Sequence, residues 1–325
     1  MYKTIMVPTD CSGFDREAIR VALRLAERSA AKVHLVRVSA TGTFLSLSGS
    51  PDVLALSSQT VQVGIDNELA ELYALAAECR TLSTVEVTTS LEQGPIPDAL
   101  AGYAMRNEVD LIVISTHGRS GFARWAMGSV TDALIRATTI PVLVVKPPTS
   151  YLNPQVGNAF KRIVVPLDGS GLAERILPRV VKLAELDGAE LTLLYVLSPH
   201  TYSQEQIQDP ALPWWEKDIA TAEAYLLPVA ARLRRRGLTV SSDIVIGEDV
   251  PGKIAEFARC EKADLIAIAT HGRGGLGRLL HGSVTDALTK SARVSMFVVH
   301  PAAKDTVNDV KPLGEREVEE LCTPG

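Results

Sequence analysis

Cysteine is scarce and scattered in this chain. Cys11, Cys79, Cys260 and Cys322 form no Cys-x-x-Cys pair, which argues against both a zinc site and a disulfide framework. Reduced thiols are expected, with Cys11 read as a small packing residue in a loop. No apolar run approaches the ~20 residues that span a bilayer, so no membrane role is expected. The first residues, Met1-Tyr2-Lys3-Thr4-Ile5, lack the apolar stretch of a secretory signal, and the expectation is a cytoplasmic protein. Positive charge is not in excess either. The formal net charge of -5 argues against a broad phosphate-neutralising surface, so nucleic acid is not an expected partner.

Catalytic signatures are missing as well. No Gly-x-x-x-x-Gly-Lys-[Ser/Thr] loop, His-Glu-x-x-His pair or Gly-x-Ser-x-Gly elbow occurs, which leaves P-loop phosphoryl transfer, zinc hydrolysis and serine hydrolysis without support. Gly272-x-Gly274-x-x-Gly277 satisfies the dinucleotide pattern, but it follows the fourth strand of its unit rather than the first. The other copy of the segment has Ser120 and Ala123 at the second and third positions, so the match is read as chance. No catalytic residue is assigned.

What is present is a globular composition, 46% apolar and 22% charged, and at 325 residues there is room for two cores. The chain also repeats itself. Thr116–Pro147 and Thr270–Pro301 match without gaps at an offset of 154, and Lys3–Asp10 matches Lys161–Asp168 at an offset of 158. Domains are expected at 1–147 and 160–301, with a Pro- and Asn-bearing linker at 148–159 and a polar tail at 302–325 that is assigned no function.

Each copy reads as alternating strand and helix. Strands are expected at Thr4–Val7, Val33–Val38, Val85–Thr89, Leu111–Ser115 and Val142–Val145, then at Ile163–Val165, Leu191–Val196, Val240–Val245, Leu265–Ala269 and Met296–Val299. Helices are expected at Arg16–Arg28, Val61–Arg80, Pro97–Asn107, Ala173–Leu186, Asp218–Arg236 and Lys253–Cys260. The alternation implies an α/β fold with parallel sheets covered on both faces, since four-residue apolar strands such as Leu111–Ile114 must be buried on both sides.

In such sheets ligands bind beyond the carboxyl ends of the strands. There each copy places an aspartate, Asp10 or Asp168, suited to a ribose hydroxyl. After the fourth strand each places Thr-His-Gly-Arg, a glycine, and then Gly-Ser-Val-Thr-Asp opening a helix at Gly128 and Gly282. Glycines let backbone N–H groups approach an anion, and a helix amino terminus adds unpaired N–H groups and partial positive charge, so a phosphate chain suits the segment. Ser129 and Ser283 are placed to donate to phosphate and also to cap the helix, with Asp132 and Asp286 three positions on. Arg119 and Arg273 are placed to neutralise charge. His117, His271, Arg124 and Arg278 are read as loop or helix-face residues. Trp214 and Trp215 fall in a long loop, covering a pocket or plugging an apolar gap.

The strand-Pro-x-Asp start, the Thr-His-Gly-Arg turn and the Gly-Ser-Val before the last helix, present in both halves, resemble the universal stress protein family. The resemblance implies two tandem doubly wound five-stranded parallel sheets of adenine nucleotide alpha hydrolase-like type, strand order 3-2-1-4-5. It implies dimers through the fifth strand, here an intramolecular pseudo-dimer of Val142–Val145 with Met296–Val299, and leaves room for a further homo-dimer. It implies ATP as ligand, with Mg²⁺ accompanying it. Adenine would rest against Pro8, Thr9, Asp10 and Val38 in the first copy and Pro166, Leu167, Asp168 and Val196 in the second. The phosphates would meet Ser115, Gly118, Arg119, Gly121, Gly128, Ser129 and Val130, and Ala269, Gly272, Arg273, Gly275, Gly282, Ser283 and Val284. The family's ATP pattern has glycine where this chain has Ser115 and Ala269. Three functions stay open: an ATP-binding stress-response regulator, a nucleotide-free interaction scaffold, and a weak ATPase or self-phosphorylating protein.

Overall fold

The computed structural model describes residues 1–39, 51–115, 129–146, 159–199, 214–270, 283–292 and 294–300. The first copy runs β1 (Thr4–Pro8), α1 (Arg16–Ser29), β2 (Lys32–Val38), α2 (Pro51–Leu82), β3 (Val87–Glu92), α3 (Ile96–Arg106), β4 (Leu111–Ser115), α4 (Ser129–Ala137) and β5 (Val142–Val145). The second runs β6 (Arg162–Pro166), a 3-10 turn (Ala173–Ile176), α5 (Leu177–Asp187), β7 (Glu190–Leu197), α6 (Trp214–Arg234), β8 (Val240–Ile246), α7 (Val250–Cys260), β9 (Leu265–Ala269), α8 (Ser283–Ser291) and β10 (Ser295–Val299).

All ten strands form one sheet in the order β3-β2-β1-β4-β5-β10-β9-β6-β7-β8. Each half keeps the order 3-2-1-4-5 with parallel neighbours, and the halves meet where β5 and β10 pair antiparallel, Met296 opposite Val144 and Val298 opposite Val142. The reason is legible in β5. Its four residues, Val-Leu-Val-Val, are all buried, and an unpaired edge strand of that composition would leave a row of open backbone groups beside apolar side chains.

Alternation along the strands feeds two cores, one on each face. Leu111, Val113, Leu143 and Val145 pack under α1 and, through Phe297 and Val299, join the core beneath α5 and α6. Ile112, Ile114, Val142 and Val144 face α3 and α4 and continue through Met296 and Val298 to α7 and α8. Both cores cross the seam between copies. Other contacts cross it too: Arg28 of α1 donates to Leu186 O at 2.9 Å, and Arg136 of α4 lies 3.4 Å from Asp286 of α8. The Lys182 ammonium stands 4.1 Å above the Tyr2 ring.

Four expectations change. The helix expected over Ala173–Leu186 is split, because Pro178 sits in the first turn of α5 and the chain before it winds as a 3-10 turn. The expected Val61 start of α2 moves back to Pro51, and β3 is displaced to Val87–Glu92. Trp214 and Trp215 begin α6 instead of lying in a loop, and Trp215 is exposed. The expected linker and tail lie outside the described residues apart from Ala159, and so do His117, Arg124, His271 and Arg278.

Candidate functional site

The strand order reverses beside β1 in the first copy and beside β6 in the second, each having its sequence neighbour on one side and the fourth strand on the other. Neighbouring connections leave in opposite directions at such a point, and a crevice opens at the carboxyl ends. In the second copy that crevice is a cavity of about 170 Å³. Pro166, Leu167 and Asp168 come from the end of β6, Leu194 and Val196 from β7, and Ile268 and Ala269 from β9. Val284 and Thr285 enter from the first turn of α8, and Val250 and Ile254 from α7.

Six of the residues expected around a nucleotide, Pro166, Leu167, Asp168, Val196, Ala269 and Val284, are thus brought to one cavity. Ser283 begins α8 beside them. Sequence reading missed Ser170, Leu172, Ala173, Leu194, Ile268 and the helix pair Val250 and Ile254. The signal was there in the period: Leu194 and Val196 share a strand face, and Val250 and Ile254 are four apart on a helix.

In the first copy the same elements carry Pro8 and Thr9, which are buried, and Val38, Ser115 and Val130, which are half-buried, while Ser129 is exposed in the first turn of α4. Thr131 Oγ1 donates to Ser115 O at 3.5 Å, tying that turn to the end of β4. Gly118, Arg119, Gly121 and Gly128, and Gly272, Arg273, Gly275 and Gly282, lie outside the described residues.

The loops after β1 and β6 are built alike. Asp10 Oδ1 accepts from Ser12 N at 3.0 Å, and Asp168 Oδ1 accepts from Ser170 N at 2.9 Å. Each carboxylate uses one oxygen to turn its own loop, which holds it at the mouth of the crevice. The next residue is left-handed in both, Cys11 at φ 57° and Gly169 at φ 81°. Burial pushes the Cys11 thiol above its ordinary value, and Thr9 and Arg37 pull the other way. A protonated, half-buried thiol fits a packing role.

Beneath these loops, on the α1 and α2 side, the copies differ. Arg37, buried, holds Glu71 at 2.7 Å and lies 3.9 Å from buried Glu68. In the second copy Tyr195 meets Tyr225 edge-on, ring centres 6.3 Å apart. Burial raises the phenols of both, with Asp168 adding to the shift at Tyr195 and Glu174 at Tyr225. Among the described residues no cluster of three or more His, Cys, Asp or Glu could hold a metal ion, and no helix is long and apolar enough to cross a membrane.

The model of the Universal stress protein family matches the chain twice, over residues 1–146 and 159–300. The chain belongs to the universal stress protein family. A universal stress protein of Mycobacterium tuberculosis is 29% identical over 210 residues, 63% of this chain and 65% of the relative, so the match spans just under two thirds of that protein. Another from the same organism is 25% identical over 292 residues, 87% of this chain and 93% of its own. The crystal structure of a universal stress protein from Archaeoglobus fulgidus superposes with a TM-score of 0.65 at 17% identity, covering 92% of this chain and 98% of that one, a likeness of fold.

Proposed function

We propose that this chain binds ATP, accompanied by Mg²⁺, at the crevices where strand order reverses, and acts as a cytoplasmic stress-response regulator through nucleotide-dependent conformation or partner binding. The observation that carries this reading is the 170 Å³ cavity of the second copy, walled by Val196, Ile254 and Ile268 and edged by Asp168. Apolar walls with one carboxylate at the rim suit a base and its ribose. Val284 and Thr285 bring the amino terminus of α8 to the same cavity, where unpaired N–H groups favour phosphate oxygens.

Gly118, Arg119, Gly121, Gly128 and Ser129, with Gly272, Arg273, Gly275, Gly282 and Ser283, are the residues proposed for the phosphates. The domains are proposed as 1–147 and 160–301, joined by 148–159. The antiparallel β5–β10 pairing supports reading the two copies as an intramolecular pseudo-dimer.

Small molecules released from freshly purified protein and identified by mass test the proposal. ATP is expected among them, and Gly118→Val combined with Gly272→Val is expected to abolish binding. Wild-type protein that takes up no adenine nucleotide at saturating concentration with Mg²⁺ refutes it. The scaffold reading is favoured by Ser115 and Ala269, where the ATP pattern has glycine. A protein partner retained by the double valine variant would select it.

A further inference from the structure

Beneath the loops that follow β1 and β6 the two copies differ in charge. Asp15, Arg37, Glu68 and Glu71 of the first copy stand where the second carries Ala173, Tyr195, Ala222 and Tyr225. The match is anchored by Asp10 and Asp168 on the loops and by the fully buried pairs Leu72 with Leu226 and Ala76 with Ala230 on the long helices. It is also structural, because the Arg37–Glu71 ion pair occupies the place of the Tyr195–Tyr225 ring contact. Three carboxylates against one guanidinium replace four uncharged side chains.

One of those carboxylates, Asp15, is the counterpart of a residue that lines the second copy's cavity. In the second copy Leu167 and Ala173 line the cavity, and both are apolar. Their counterparts are Thr9 and Asp15. The Thr9 hydroxyl donates to Asp15 Oδ2, while Asp15 is only 4% exposed and its Oδ1 has no hydrogen-bond partner among the described residues. A buried carboxylate oxygen without a donor is costly, and an anionic ligand closing over it brings like charge instead of the missing donor.

From this we infer that Asp15 sets the ligand specificity of the first crevice against polyanionic nucleotides, so that one chain holds one ATP, in its second copy. The inference rests on the ATP reading above and narrows it from both crevices to the second. Asp15 would leave the first crevice to a ligand that carries less negative charge and offers a hydrogen-bond donor.

Exchanging the two wall residues tests this by titration calorimetry with Mg²⁺ and ATP at fixed ionic strength. Wild type is expected to bind one ATP per chain. Ala173→Asp is expected to weaken that site by about tenfold or more, the effect of one added charge in a partly desolvated crevice. Ala173→Asn, equal in size and neutral, is expected to retain most of the affinity, and thermal unfolding checks that each variant is folded. The pair Thr9→Leu with Asp15→Ala gives the first crevice the second's wall and is expected to raise the stoichiometry to two. That arm stands even should Ala173→Asp fail to fold.

Two equal sites in the wild type overturn the inference while leaving ATP binding in place. So does equal weakening by Asp and Asn, which would make size rather than charge the cause, or a stoichiometry of one in the Thr9→Leu, Asp15→Ala chain. Wild-type protein that binds no ATP removes the nucleotide reading itself, and this inference falls with it.

Discussion

At the scale of single residues the duplication acts as an internal control, because each position can be compared with its counterpart in the same fold. Ala30, just past the end of α1, is held left-handed at φ 53°, and its counterpart Gly188 closes α5 at φ 65°. Only glycine adopts that conformation without a Cβ penalty. Relief of a left-handed penalty of about 1–2 kcal/mol, less the entropy glycine adds to the unfolded chain, is therefore expected to make Ala30→Gly stabilising by about 0.5–1 kcal/mol, read from urea unfolding midpoints. Arg37 tests the opposite case. Its guanidinium holds Glu71 and faces buried Glu68, so Arg37→Met removes the opposite charge from a buried cluster and is expected to cost about 3 kcal/mol. Arg37→Tyr with Glu68→Ala and Glu71→Tyr, which copies the second half, should recover most of that loss. Buried Cys79 and half-buried Cys11 obey the same physics: burial pushes Cys79 up to about 11 and Cys11 in the same direction, so slow labelling of both by a thiol reagent at pH 7 is expected.

Among the elements, the seam strands carry a strongly shifted titration. Lys146, at the end of β5, donates from Nζ to Ala292 O and, at 3.3 Å, to Thr289 O, so it caps the last turn of α8 in the other copy. Burial lowers its pKa from 10.5 to about 8. Between about pH 8 and 10.5 the unfolded chain holds this proton and the folded chain has released it. Stability contributed by this group therefore rises with pH across that window and is flat on either side. Urea unfolding from pH 7 to 10.5 should show the rise in wild type and lose it in Lys146→Met. A fall with pH traceable to Lys146 would contradict the placement. Arg136 has no such window, since Asp132 and Asp286 both support its charge.

For the molecule as a whole, the decisive fact is that neither core stops at the boundary between copies. Phe297 and Met296 of β10 lie in the same apolar clusters as Leu143 and Val144 of β5, one on each face of the sheet. Two repeats joined this way have no boundary of weak contacts at which to separate, so they are expected to unfold together. Scanning calorimetry should give one transition with calorimetric and van't Hoff enthalpies in agreement. Two resolved transitions would show that the seam is weaker than the cores it connects. The same continuity holds the two crevices in a fixed relation, which is what a nucleotide-dependent change in one copy would need in order to be felt in the other.

Fold class, duplication and the order of elements were all determined by the sequence, because strand burial imposes period and length locally and the repeat supplies every element twice. Pro166, Asp168, Val196, Ala269 and Val284 were placed at one site by their positions at strand ends and a helix start, which is also local information. Joining β5 to β10 into one ten-stranded sheet depended on matching two strands 154 residues apart, and only the tertiary structure decided their register. Leu194, Ile254 and Ile268 became cavity walls through packing across three elements, which no single stretch of chain encodes. The difference between the crevices belongs to the same class. Asp15 is an ordinary helix-start residue in sequence, and only its burial beside Thr9 leaves Oδ1 without a hydrogen-bond donor among the described residues.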